Sequence, residues 1–341
     1  MPVFLNLPAG DVRSGNCITV GLINNMSDEA LKATERQFIS LLNSASEGMP
    51  IQLSLYTLPD IPRNELSCRH IASHYADIED LWESELDGLI VTGREPLATN
   101  LMDEPYWESL TKTLDWAQEN AHSTIWSCLA AHAAILHLDG VGRTKGKEKF
   151  FGIFECARGV DHPLTAGTPS RLKLPHSRWN GVSEDELTSC GYSVLTMAGR
   201  AGVDTFIKQQ KKLFVFFQGH PEYESDTLLR EYRRDIGRYF KGETHRYPSL
   251  PQNYFHPDTA DALTTLQQRA ISDGRGGLLT GLSAALENNS VENTWRTGAA
   301  SIYRNWLAYI CRQKEKALRS ERMAPITDLA PVSLQGKAST A

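Results

Sequence analysis

The stretch LDGLIVTG, residues 86–93, is an almost unbroken apolar run closed by a glycine. A strand with one wet face alternates polar and apolar residues. A strand that is apolar at nearly every position must be covered on both faces, as in a parallel sheet layered between helices. Downstream, WESLTKTLDWAQEN (107–120) has helical spacing and STIWSC (123–128) is a further β-rich run. Upstream, CITVGLINN (17–25) and IQLSLYTL (51–58) read as strands. Between them a helical stretch runs from about Asp28 to Ala45, with Leu31, Phe38, Leu41 and Leu42 on one face. Strand alternating with helix predicts an α/β fold built on an open, mostly parallel sheet. In the second half, YSVLTMA, VDTFIKQ and LFVFFQGH (192–220) predict a three-stranded meander attached to that sheet. Helices are expected at about 224–240, 258–272 and 299–315, with a flexible break at 273–281.

Length and composition bound the function. At roughly 100–200 residues per domain, 341 residues allow one large domain or two modest ones. The expected division is an N-terminal extension over 1–16, an α/β catalytic domain over 17–245, a helical C-terminal region over 246–322 packed on it, and a flexible tail over 323–341. With 41% hydrophobic and 22% charged residues, wholesale disorder and coiled coil are excluded. A net charge of −6 argues against a nucleic-acid partner. No apolar run is long enough to span a bilayer, and the opening MPVFLNLPAG lacks the basic start and long apolar stretch of a secretory signal, so a cytoplasmic location is expected. The six cysteines show no C-x-x-C pair and are expected to be reduced thiols. Neither a metal-ligand motif nor a dinucleotide or Walker fingerprint is present, so no metal is expected.

Ligands of open parallel sheets bind at the carboxyl ends of strands, and Gly93, Cys128 and His220 all fall at such ends. Cys128 stands where TIWSC passes into the Ala-rich helix LAAHAAILH, with small Ala130 and Ala131 following. A thiol at a helix N-terminus meets unpaired N–H groups and the positive end of the dipole, which favours its thiolate. In LFVFFQGHPEY, His220 follows an apolar strand and Glu222 lies two residues beyond. An imidazole can move the proton of a thiol or an alcohol, and a carboxylate can fix its tautomer.

The H-P-E after a strand, with a cysteine at an elbow, resembles class I glutamine amidotransferases. Those glutaminases usually carry G-x-C-x-G-x-Q at the elbow, whereas this chain reads WSCLAAH (126–132), with neither glycine and no glutamine. The departures point to the homoserine O-acyltransferase family, of the homoserine O-succinyltransferase type, on the same fold. QFISLLNS (37–44), DGLIVTG (87–93), EKFFGIFE (148–155), PHSR (175–178), GHPEY (219–223), RRD (233–235), NYF (253–255) and NWL (305–307) carry that resemblance.

The resemblance implies a class I glutamine amidotransferase-like fold and a ping-pong transfer of an acyl group from acyl-CoA to the hydroxyl of homoserine, in methionine biosynthesis. Succinyl is favoured as the acyl group, with acetyl as the alternative. Serine or another hydroxy-amino acid is the alternative acceptor, and a glutamine amidase-like hydrolase the alternative chemistry. Cys128 matches the acylated nucleophile, His220 the general base and Glu222 its orienting acid. Lys149, Ser177 and Arg234 match substrate-contacting residues, Arg234 offering a planar fork for an α-carboxylate. Backbone N–H groups at the elbow and near Gly93 are expected to hold the oxyanion, with Trp126 and Trp179 as walls. The family's donor-specificity position, Gly or Glu, falls at about Leu97 in the segment Arg94-Glu95-Pro96-Leu97, so the usual donor rule fails here. Arg94 is the alternative partner for a succinyl carboxylate. The basic run RTKGKEK (143–149) is the best local attraction for polyanionic coenzyme A. No resident cofactor is implied, acyl-CoA being a co-substrate. The expected partners are small-molecule substrates, with neither a nucleic acid nor a membrane, and a homodimer is possible.

Overall fold

A computed structural model describes residues 3–5, 17–272, 279–286 and 291–323. In chain order the strands are β1 (Val3–Leu5), β2 (Ile18–Ile23), β3 (Ile51–Tyr56), β4 (Gly88–Thr92), β5 (Ser123–Ser127), β6 (Thr144–Arg158), β7 (Arg171–Gly181), β8 (Ser193–Ala198), β9 (Gly202–Gln209) and β10 (Leu213–Phe217). They form one sheet in the order β1-β3-β2-β4-β5-β10-β9-β8-β6-β7. Pairing is parallel from β1 to β10 and antiparallel from β10 onward.

The apolar run that opened the reading divides between two faces. In β4, Ile90 joins one core with Ile125, Val215 and Phe217, while Leu89 and Val91 join the other with Trp126, Phe214 and Phe216. The helices Trp107–Asn120 and Leu129–Asp139 cover the second face through Leu110, Leu114, Ala131 and Ile135. The helix Asp28–Ala45 covers the first with Phe38, Leu41 and Leu42. The meander is present as β8, β9 and β10, each antiparallel to the next.

The C-terminal region does more than sit against this layer. Its long helix, Arg296–Met323, places Ile302, Tyr303, Trp306 and Ile310 in the first core. At Gly88 an added Cβ would stand 2.7 Å from Ile310 and 2.9 Å from Trp306, so glycine permits this docking. Gly88→Ala is therefore expected to cost about 1–3 kcal/mol by overpacking, read as a lower midpoint in chemical denaturation. An unchanged midpoint would mean that the helix does not bear on β4.

Of the expected break at 273–281, residues 273–278 lie outside the described residues, and Leu279–Leu286 is a helix. Most of the expected tail, 324–341, also lies outside the described residues. The expected extension contributes β1, which pairs with β3 at the sheet edge. Among the described residues, no helix is long and apolar enough to cross a membrane.

Candidate active site

Cys128 follows β5 directly and caps the helix Leu129–Asp139 with φ 53° and ψ −115°. A residue with a Cβ adopts such a conformation at a cost on the order of 1–3 kcal/mol. The Cys128 N–H donates to Phe217 O of β10 at 2.7 Å, which holds the elbow to the neighbouring strand. The half-buried thiol stands at the foot of the helix, where the Leu129 and Ala130 N–H groups have no intrahelical acceptor. An added Cβ at Gly93 would lie 2.5 Å from Leu129 N and 2.8 Å from Ala130 N, so only glycine lets the end of β4 come this close. Gly93's own N–H donates to Ser127 O at 3.0 Å. Leu129 and Ala130 are thus the elbow's open donors.

His220 stands on the turn after β10, its N–H donating to Pro175 O at 2.8 Å. Its Nδ1 is 2.8 Å from Glu222 Oε1, and its ring is within side-chain hydrogen-bonding reach of Cys128. Burial alone would strip the imidazole of its proton. The Glu222 carboxylate and Cys128 outweigh burial and raise its pKa well above the ordinary imidazole range. Tyr223 stacks on the imidazole, with ring centroids 4.2 Å apart, while Trp295 Nε1 donates to Tyr223 O at 2.8 Å from the C-terminal region. Cys128, His220 and Glu222 therefore converge as the sequence reading expects.

Lys149, Ser177 and Arg234 also converge, on two carboxylates of the helix Thr227–Phe240. Lys149 Nζ lies 3.2 Å from Asp235 and 3.8 Å from Glu231. The Ser177 hydroxyl donates to Glu231 Oε2, and Arg234 Nη2 lies 2.8 Å from Asp235. Tyr223 joins the two groups: its ring lies on His220, and its hydroxyl donates to Glu231 Oε1 at 2.5 Å. Sequence reasoning missed Glu231, because in LLREYRRDIGRYFKG it looks like one more solvated charge. The contacts from Lys149, from Ser177 of β7 and from Tyr223 single it out.

The segment after β4 turns towards the same helix. Glu95 pairs in two-pronged fashion with Arg238 at 3.1 and 3.0 Å, an exposed ion pair. The Leu97 side chain is exposed, and its N–H, with that of Ala98, donates to Glu104 Oε1 at 2.8 and 2.9 Å. Arg94 lies over Tyr106, its guanidinium carbon 6.0 Å from the ring centroid. Trp126 and Trp179 are not walls of this site. Trp126 is fully enclosed in the second core, its Nε1 donating to Thr124, and Trp179 is exposed beside Lys145. Of the run 143–149, residues 144–149 open β6 and Arg143 precedes it.

Behind the His220 turn, Cys156, His176 and Asp204 are wholly buried, with one ligand-type atom of each lying within 4.8 Å of the others. Arg178 Nε donates to His176 Nδ1 at 3.2 Å, which points the other ring nitrogen at Asp204 Oδ1, 3.1 Å away. Burial lowers the His176 pKa and raises that of the Cys156 thiol. A neutral imidazole thus bridges the Arg178 cation and the Asp204 anion as a strut beneath the turn.

A homoserine O-succinyltransferase family model matches residues 9–317. The chain is 47% identical over 291 residues to a homoserine O-succinyltransferase of Rhodopseudomonas palustris, covering 85% of this chain and 87% of that one. It is 43% identical to the Bradyrhizobium japonicum protein of the same name, covering 88% and 93%. Among solved structures, a glutamine amidotransferase from Methylobacillus flagellatus aligns with 15% identity and a TM-score of 0.48, over 86% of this chain and 95% of that one. On the extent and identity of the sequence matches, this chain belongs to the homoserine O-succinyltransferase family.

Proposed function

We propose that the chain moves a succinyl group from succinyl-CoA to the hydroxyl of L-homoserine, in methionine biosynthesis, through a succinyl thioester on Cys128. What supports the reading is family membership together with one arrangement: a cysteine at a strained elbow, within reach of a buried imidazole held 2.8 Å from Glu222. The Cys128 sulfur reacts as its thiolate, beside an imidazole that Glu222 and Cys128 keep protonated against the effect of burial.

The thiolate attacks the thioester carbonyl, and the Leu129 and Ala130 N–H groups receive the negative charge that develops on its oxygen. The carbon–sulfur bond to coenzyme A breaks, His220 gives its proton to the departing thiolate, and Cys128 keeps the acyl group. Homoserine then enters, and the now neutral His220 takes its hydroxyl proton. The alkoxide attacks the acyl carbon, the bond to Cys128 breaks, and the thiolate–imidazolium pair is restored. Both acyl carriers are thioesters, so the first transfer is close to balanced in energy. His220 and Glu222 are buried, which limits competition from water.

In this reading Arg234 takes the α-carboxylate of homoserine and Glu231 its α-ammonium, beside Tyr223. Arg234→Ala is expected to raise the homoserine KM by roughly 10- to 100-fold, the worth of a charged hydrogen bond, with little change in the rate of enzyme acylation. An unchanged KM would remove Arg234 from this role. The decisive test of the whole reading is intact-mass measurement after exposure to succinyl-CoA. One succinyl increment, localised to Cys128 and discharged by homoserine, is the expected result. Absence of that increment overturns the reading.

A further inference from the structure

His220, Pro221, Glu222 and Tyr223 form a turn, closed by the Tyr223 N–H donating to His220 O at 3.2 Å. Proline at its second position presets the backbone for such a turn. These four residues give the imidazole two supports. Glu222 Oε1 lies 2.8 Å from Nδ1, and the Tyr223 ring lies nearly flat on the imidazole face, with centroids 4.2 Å apart and planes 17° apart. The supports do different work. A carboxylate at Nδ1 selects the tautomer but lets the ring swing about the line joining Nδ1 to Oε1, and the last torsion of a histidine side chain is broad. A second ring packed on the face removes that freedom.

Tyr223 is itself held at both ends. Its carbonyl accepts from Trp295 Nε1 at 2.8 Å and from Asn293 Nδ2 at 3.3 Å, so the C-terminal region fixes its backbone. Its hydroxyl donates to Glu231 Oε1. Burial, reinforced by Glu231 and Glu222, raises the Tyr223 pKa well above the ordinary phenol range, so the hydroxyl keeps its proton and stays a donor. Glu231 Oε2 accepts from Ser177 of β7, with Lys149 Nζ 3.8 Å from the same oxygen. One aromatic ring thus touches the imidazole on its face and, through its hydroxyl, the carboxylate that meets the acceptor's ammonium in the reading above.

We propose that Tyr223 is a positioning residue with two separable parts: its ring sets the tilt of His220 in both half-reactions, and its hydroxyl couples that tilt to Glu231, so that the imidazole is best aligned when the acceptor's amino group is bound. This inference rests on the acyl-cysteine reading. Water has no ammonium to place on Glu231, so the coupling favours discharge by the amino acid over hydrolysis. A buried aromatic anchored at both ends suits such a role, since positioning of this kind needs a support that does not itself move.

The test compares wild type, Tyr223→Phe and Tyr223→Leu, each checked for folding by thermal melting. Intact mass follows acylation by succinyl-CoA, discharge by homoserine and discharge by water alone. Tyr223→Leu, which lacks the ring, is expected to slow both acylation and homoserine discharge by up to about 100-fold, the scale of a misplaced reacting group. Tyr223→Phe restores the ring and is expected to recover most of the acylation rate. Its ratio of homoserine discharge to hydrolysis should stay roughly 10-fold below that of wild type, the worth of one hydrogen bond to a charged group. Equally slow acylation in both variants would show that the ring does not position the imidazole. An unchanged ratio in Tyr223→Phe would show that the hydroxyl carries no coupling, and either result overturns the inference. Should Tyr223→Leu fail to fold, the ratio in Tyr223→Phe decides. A wild type that gains no succinyl increment would sink the acyl-cysteine reading, and this inference with it. A wild type that is acylated and discharged, with both variants behaving as it does, would sink the inference alone.

Discussion

Replacing Cys128 by alanine is expected to lower turnover by about 10⁴-fold or more while leaving the protein folded. In the proposed mechanism the sulfur is the atom on which the acyl group waits, and its loss removes a covalent intermediate that no neighbouring group can carry. Cys156, the nearest alternative by chemistry, is wholly buried, and burial raises its thiol pKa. Stability should move little. The side chain is half-buried, and alanine meets the same strain at φ 53° that cysteine already bears. A melting midpoint near that of wild type, no succinyl increment by mass and no coenzyme A release would together be the expected result. Substantial release of coenzyme A with homoserine present would show that acyl transfer bypasses this sulfur, for instance by direct attack of the hydroxyl on the donor.

The parts of the fold legible in the sequence are those whose pattern is local. The helices Asp28–Ala45 and Trp107–Asn120 fall where their apolar spacing predicts, and β4 and β5 fall on apolar runs covered from both sides. The meeting of the candidate site's residues is legible for a similar reason. Cys128 and His220 each follow a strand in sequence, and parallel neighbours bring their carboxyl ends together. What the reading missed depends on distant partners. The long strand β6 opens with a basic run that reads as a loop; it is fixed by pairing with β7 and β8, well removed in sequence. The helix Glu65–His74 is mostly polar, and its clearest signal is the Asn64 side chain accepting from Ser67 N at 2.9 Å. Glu231 looks like a surface charge until Ser177 of β7 is folded against it.

Gly219→Ala tests whether the strut behind His220 sets the geometry of catalysis. An added Cβ would stand 2.7 Å from Asp204 Oδ1 and 3.0 Å from both His176 Nε2 and Pro175 O. None of these atoms can easily give way. Asp204 Oδ2 accepts from Thr196 and Thr205 hydroxyls, each at 2.7 Å, His176 is held by Arg178, and Pro175 O accepts the His220 N–H. The turn carrying the histidine must therefore move instead. Overpacking of this kind costs about 1–3 kcal/mol of stability, and a displacement near 1 Å costs about 10²-fold in rate. Because the proposed mechanism uses one imidazole in both half-reactions, acylation by succinyl-CoA and discharge by homoserine should slow together, which single-turnover mass measurements can separate. Loss of stability at an undiminished rate would mean that the strut yields rather than the turn. Slowing of discharge alone would mean that the methyl group obstructs the acceptor instead of displacing His220.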